Sequence, residues 1–489
     1  MVMWSGTWAG EGSGMLLRRR LLSVVLVLVS AGAGVVACST AESRAPSPNW
    51  RPCAENAAVE CATVAVPVDW ADPAGASIDM AVARKRASGP GRIGTLVFLP
   101  GGPGTSGVDE LLRHDRFSPA LHEKFDIVSV DPRGVKRSHP LRCDSGLAAA
   151  RPNLVPDTGA QFSEVASYAT DLAASCREYT GPLADHLDSA SVARDVEELR
   201  KMLGENTLSF YGPSYGTMPG QSYLEQFPRR VRAMVLDGVD DHSLDGPEFL
   251  ATEARAAQDT FAEFVSWCDR ETACVLHGRN VPALFDRLYE RAVRGELSSP
   301  AGTPLSPLDL GRTALQPLYE PDWPKEAELL RSMDDQPPGP APAPVPRRRG
   351  EPVAAPELIA CSDWSFDIPD QSRWESLWRE QNRNAGTLRA HFAWVAGSIC
   401  SFWPPAPNPP HRPRITSAPP ILITTSKHDP ATPHEWATHV TANTPNATLL
   451  TYEGWGHGVY SRTPCTTHAT DNYLLDPTAH PTLSCPASP

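Results

Sequence analysis

The chain has 489 residues, of which 41% are hydrophobic and 21% charged, enough for one large globular domain with an insertion or for two domains. A net charge of −13 leaves no basic stripe to meet phosphates, which argues against nucleic-acid binding and suits an exported protein that must stay soluble. Fifty prolines indicate a loop-rich chain with stiff connections.

Residues 1–14 carry no readable signal, and Met15 is a candidate start. Arg18, Arg19 and Arg20 then precede an uncharged, largely apolar run from Leu21 to Ala37, the charged and hydrophobic regions of an export signal. The run closes in Val35-Val36-Ala37-Cys38, which resembles the lipobox of bacterial lipoproteins and makes Cys38 a candidate lipidation site. An ordinary cleaved signal and an uncleaved helix are the alternatives, although the run is short for spanning a bilayer. Each of the three puts the remainder outside the membrane. Residues 39–50, rich in Ser, Ala, Pro and Asn, read as a polar tether. Setting Cys38 aside leaves ten cysteines, an even number suited to five disulfides in an oxidising compartment. Near neighbours suggest Cys53–Cys61, Cys143–Cys176, Cys268–Cys274, Cys361–Cys400 and Cys465–Cys485, though sequence does not fix connectivity. No paired C-x-x-C spacing points to zinc.

Strand patterns begin at Ala62–Val68 and Ile78–Arg84. Thr95–Leu99 is a continuous apolar run of the kind a buried parallel strand requires. It leads into Pro100-Gly101-Gly102-Pro103-Gly104, either a plain turn or a loop whose glycines let a backbone N–H approach a substrate carbonyl. Phe125–Val130 is a further buried strand, and Arg133 just after it reads as a structural ion-pair anchor. Ser191 to Leu203 has an apolar face of Val192, Val196, Leu199 and Leu203, with Ser191 as its cap and Gly204 as its stop. Next comes Leu208 to Thr217, a strand ending in G-x-S-x-G and followed by a helical segment from Met218 to Phe227. Strand, sharp turn and helix make the setting of a nucleophile elbow, which lifts one serine Oγ above the sheet edge. Ser214 is therefore the candidate nucleophile. Pro228 ends that helix, and Val231–Leu236 gives another strand.

After about residue 240 the pattern turns helical (Gly246 to Trp267, Val281 to Arg294), then Pro/Ala-rich with Arg347, Arg348 and Arg349 between Gln336 and Pro356. A helix around Trp374 to Asn384 precedes a proline-rich return, Pro404 to Pro413. The sheet pattern resumes at Ile421–Thr425. Beyond it, Thr432, Pro433 and Glu435 form an apparent capping box. Ala447–Tyr452 reads as the last strand and ends in Gly454-Trp455-Gly456-His457-Gly458. A serine hydroxyl needs a base, and the base an orienting carboxylate. Asp429 follows one late strand and His457 the next, the order in which an α/β-hydrolase supplies acid and base. Asp237, after the strand that follows the elbow helix, is the runner-up acid.

On these residues the chain resembles the exported bacterial tripeptidyl aminopeptidases, relatives of proline iminopeptidase within the α/β-hydrolases. The likeness runs from Trp50 to about Asn472 and rests on several motifs in order. They are G-G-P-G at 101–104, D-P-R-G at 131–134, G-P-S-Y-G-T at 212–217 and L-D-G at 236–238. I-A-C-S-D at 359–363, C-S-F-W-P at 400–404, D-P-A-T-P at 429–433 and G-H-G at 456–458 complete the series. The resemblance implies Ser214 as nucleophile, Asp429 as acid, His457 as base, and the Gly102 and Tyr215 N–H groups as the oxyanion hole. It also has departures: Lys136 stands where a glycine is usual, and a proline-rich insertion replaces a tidy helix near 336–356.

The expectation is an α/β fold, a mostly parallel sheet flanked by helices, with a mainly helical lid inserted after the strand that follows the nucleophile helix. Its parts are a lipoprotein-type signal at 1–37, a tether at 38–50, core at 51–240, lid at 241–414 and core again at 415–489. The activity implied is release of short peptides from free N-termini, with no metal or organic cofactor. The partners implied are a peptide substrate, no nucleic acid, and a membrane only through an anchor at Cys38. An esterase or amidase on small non-peptide substrates, and a surface lipoprotein with a disabled site, are the rival readings. Restriction to chain ends would have to come from the lid, with Asp240, Asp241, Glu320 and Asp322 as candidates to hold a substrate ammonium.

Overall fold

The computed structural model describes residues 47–337, 350–389, 392–479 and 482–488. The signal and Cys38 lie outside them, as do residues 338–349 with the arginine triplet.

Ten strands build one sheet: β1 (Arg51–Pro52), β2 (Glu60–Pro67), β3 (Ser77–Lys85), β4 (Gly94–Phe98), β5 (Phe125–Val130), β7 (Leu208–Pro213), β8 (Val231–Asp237), β10 (Ile421–His428), β11 (Ala447–Trp455) and β12 (Ser484–Cys485). A separate antiparallel pair joins β6 (Arg142–Asp144) to β9 (Pro352–Ala354). Across the large sheet the order is β1-β2-β3-β5-β4-β7-β8-β10-β11-β12. The first four pair antiparallel, and every neighbour from β5 onward is parallel. Parallel strands carry helices on both faces, so both sets of alternating side chains must be apolar. In β4, Leu96 and Phe98 enter one core with Phe125, Ile127 and Val235, while Val97, and Leu99 just past the strand, enter the opposite core with Phe210, Met234 and Ile423.

Local signals place the elements closely. Gly204 ends the helix Ser189–Leu203 in the left-handed region, as expected. Its N-cap, however, is Asp188, whose carboxylate accepts from both the N–H and the hydroxyl of Ser191. Ser191 therefore lies inside the first turn. The capping box at Thr432 is also absent, because the Thr432 hydroxyl donates to Asp429 and Glu435 pairs with Arg255. Ala447–Tyr452 is not the last strand: β12 adds beside β11, tied on by Cys465–Cys485. The ten described cysteines pair as their spacing suggested. Lys136 takes the left-handed φ of 44°, the conformation a glycine would hold more easily.

Arg133 is fully buried and spends all its donors on Asp195, Val68, Pro67 and His186, which ties the β2 end to the helix Ser189–Leu203.

After β8 the chain leaves the sheet and returns at β10. Helices Gly246–Arg270, Val281–Val293, Pro307–Tyr319 and Trp323–Asp334 share one apolar cluster around Phe261, Phe264, Leu284 and Leu318. Helices Gln371–Asn384 and Phe392–Cys400 pack Trp374, Trp378 and Trp394 into another, which also takes in Met218 of the helix after the elbow. Among the described residues no helix is long and apolar enough to cross a membrane.

Candidate active site

Ser214 opens a single 3-10 turn between β7 and the helix Thr217–Gln226. Its φ is +56°, a value that costs a non-glycine residue of order 1–3 kcal/mol and persists only where the surroundings impose it. They do so by crowding. A β-carbon on Gly216 would lie 2.3 Å from the Leu99 carbonyl oxygen, and one on Gly212 would lie 2.6 Å from that of Gly216. Only glycine permits so tight a turn against the end of β4. The glycine loop after β4 abuts the serine from the other side, since a β-carbon on Gly101 would sit 3.2 Å from that of Ser214. No turn, loop or side-chain acceptor among the described residues takes the N–H of Gly102 or of Tyr215.

Asp429 lies just past β10 and is buried. Its Oδ1 accepts from the N–H groups of Ala431 (2.8 Å) and Thr432 (3.0 Å), and its Oδ2 from the Thr432 hydroxyl (3.1 Å). Both oxygens stand 3.0 Å from His457 Nδ1. An ionised carboxylate only accepts, so the Nδ1 proton is held there and Nε2 keeps its lone pair. Burial works against the imidazolium, but the Asp429 charge and hydrogen bond, with Asp240 and Asp237 beyond, outweigh it and raise the His457 pKa above its ordinary 6.5. Its backbone N–H donates to the Tyr319 carbonyl at 2.8 Å, and the Tyr319 ring meets the imidazole edge-on at 5.4 Å.

Sheet register brings serine and histidine to one place. Pro213 pairs with Asp237, so Ser214 and Gly238 leave adjacent strands side by side, and a β-carbon on Gly238 would lie 3.1 Å from His457 Cε1. The Ser214 Oγ has no hydrogen-bond partner among the described residues. Asp237, the runner-up acid, is committed elsewhere: it accepts from Tyr211, Thr424 and the N–H groups of Val459 and Tyr460, which pins the histidine loop to the sheet. Sequence reasoning missed Thr432 as a support for Asp429 and Tyr319 as a wall beside His457.

A cavity of about 530 Å³ adjoins the glycine loop and Tyr319, lined by Gly102, Pro103 and Tyr319 with Leu315, Leu358, Val395 and Ile399 of the insertion. A second, of about 550 Å³, shares Arg312, Gln316 and Tyr319 with it and carries Glu320, Asp322 and Lys325. Asp240 lies in the loop after β8. Its carboxylate takes no hydrogen bond among the described residues, and burial pushes its pKa up to about 7, aided by Glu253, Asp429 and Asp363 and opposed by His457.

Strand order, the crossover from β4 to β5 and the siting of these residues beyond the parallel strands define the class: the molecule is an α/β-hydrolase, and an enzyme of the serine hydrolase type. Residues 387–485 match the family model described as TAP-like protein. Carboxylesterase B of Mycobacterium tuberculosis is 31% identical over 495 residues, covering 90% of each chain. Serine protease Hip1 of the same species is 29% identical over 532 residues, covering 96% of each. Tripeptidyl aminopeptidase of Streptomyces lividans is 29% identical over 463 residues, covering 87% of this chain and 84% of that one. The chain belongs to the TAP-like family of α/β-hydrolases.

Proposed function

We propose that the protein is an exported serine aminopeptidase that releases short peptides, of tripeptidyl type, from free N-termini through an acyl-enzyme. The observation that carries the chemistry is the buried Asp429 gripping His457 Nδ1 with both oxygens beside an elbow serine. Ser214 attacks the scissile carbonyl as His457 Nε2 takes its proton. The Gly102 and Tyr215 N–H groups stabilise the oxyanion, and the imidazolium, steadied by Asp429, protonates the leaving amine. Water then repeats the sequence on the acyl-enzyme.

Acyl transfer does not sense a chain end, so the exopeptidase restriction is assigned to the insertion at 241–414 acting as a lid. Among the acidic candidates, Asp241 is occupied by Ser243 and His439, and Asp322 caps the helix Trp323–Asp334. Asp240 is the carboxylate with capacity to spare near His457, and a substrate ammonium beside it would restore its charge. The relatives' names divide between peptidase and esterase, and the distinguishing experiment compares a tripeptidyl p-nitroanilide with its N-acetylated twin. The free amine is expected to raise kcat/KM at least tenfold, because a carboxylate buried without its ammonium is costly. Equal values would transfer the protein to the esterases or general amidases. Export, with Cys38 as the lipidated N-terminus, completes the proposal and rests on the charged and apolar stretch before it.

A further inference from the structure

Asp363 belongs to the insertion and is 174 residues from the helix start it touches, yet it is completely buried and wholly engaged. Its carboxylate accepts from the Ser189 N–H at 3.0 and 3.1 Å, the Ser189 hydroxyl at 2.8 Å, the Asn408 amide at 2.6 Å and the Tyr215 hydroxyl. Its own carbonyl meets His242 Nε2 at 2.8 Å. Tyr215 is the residue after Ser214, so its N–H belongs to the peptide that joins it to the strained serine, whose φ is +56°. Holding the far end of the tyrosine ring limits how that peptide can rotate. The 3-10 turn leading to Asp363, Pro356–Ser362, also touches the glycine loop at its other end: a β-carbon on Gly104 would lie 2.5 Å from that of Pro356. Cys361–Cys400 fastens this turn to the helix Phe392–Cys400, and Leu358 and Ala360 face the cavity. One short segment of the insertion therefore touches both the glycine loop after β4, at Gly104, and the residue after the elbow serine.

We infer that Asp363 is a positioning residue, which acts through the Tyr215 hydroxyl to aim the Tyr215 N–H at the oxyanion. This rests on the reading of Ser214 as nucleophile. The consequence is specific to the charged transition state, since ground-state contacts in the cavity do not depend on that N–H.

The test is Tyr215→Phe, which deletes one hydroxyl and leaves the ring in place. Turnover is measured per fluorophosphonate-titrated site on a tripeptidyl p-nitroanilide and on p-nitrophenyl butyrate. Outright loss of an oxyanion donor costs about 10²–10³-fold, so a misaimed one is expected to lower kcat about tenfold, with KM within twofold. The acid limb of the pH profile, set by His457, is expected to stay where it is in the wild type. Asp363→Ala and the double variant complete a cycle in which the double loses no more than Asp363→Ala alone. If Asp363→Ala does not fold, Tyr215→Phe decides by itself. A kcat within twofold of wild type per titrated site, or a change confined to KM, would overturn the inference. Wild-type enzyme that turns over the ester but not the peptide would sink the aminopeptidase reading instead, and leave this test to run on the ester.

Discussion

Replacing Asp429 by Asn separates the two aspartates that compete for the acid role. The amide oxygen must take the seat of Oδ1, where the Ala431 and Thr432 N–H groups converge at 2.8 and 3.0 Å. The NH₂ then occupies the place of Oδ2, 3.0 Å from His457 Nδ1. An NH₂ group donates, and the amide oxygen, although also 3.0 Å from Nδ1, no longer holds the Nδ1 proton by charge, so the favoured tautomer presents a lone pair at Nδ1 and carries its proton on Nε2, facing Ser214. That tautomer cannot accept the serine proton. The expected loss is about 10⁴-fold in kcat, or about 5.4 kcal/mol at 1.36 kcal/mol per decade, with stability nearly unchanged. Asp237→Asn should behave oppositely. Four donors face that carboxylate, and an amide leaves either the Val459 or the Tyr460 N–H opposed to an NH₂. One stranded buried donor costs about 1–3 kcal/mol of stability, while kcat should remain within tenfold. Chromogenic turnover per mole of folded protein, with urea midpoints for both variants, gives the comparison. A kcat for Asp429→Asn within tenfold of wild type, alongside a thousandfold loss for Asp237→Asn, would refute the assignment and make Asp237 the acid.

Since the His457 pKa is raised and the base works only when neutral, kcat/KM should climb with pH through an ionisation above 6.5, read from a pH–rate profile. In Asp429→Asn the opposing carboxylate is gone and burial remains, so the residual activity should show that limb displaced to lower pH. Cys38 should appear as a lipid-modified N-terminus in the mass of exported protein, and an unmodified N-terminus elsewhere would exclude it.

Much of the sheet was legible because burial on both faces leaves an unmistakable print. Thr95–Leu99 and Phe125–Val130 have no polar face to blur them, and the observed strands match within a residue or two. The candidates Ser214, Asp429 and His457 stood out for a similar reason, since each falls within two residues of a strand end. The helices Pro307–Tyr319 and Trp323–Asp334 were not placed, although Ser306 with Pro307 and Asp322 with Pro324 are good starting signals. What sequence could not supply was the choice among competent partners. Asp188 and Ser191 can each cap a helix, and only packing shows which one does. Thr432 can serve a helix end or a carboxylate, and the fold gives it to Asp429. Asp363 meets Ser189 and Tyr215 across 174 and 148 residues, a contact that no local pattern announces.

Both margins of the sheet end in strands of two residues, β1 and β12. Each is anchored by a disulfide, Cys53–Cys61 at one margin and Cys465–Cys485 at the other. An open strand margin offers unpaired N–H and C=O groups to any passing chain, and the eight-residue β2 and nine-residue β11 would be long templates for such pairing. Each short strand pairs with two residues of its neighbour, Glu60 and Cys61 at one margin and Thr451 and Tyr452 at the other, and interrupts the template there. The two covalent links therefore fix in place the short strands that break up the sheet's margins, as well as bracing the loops they close.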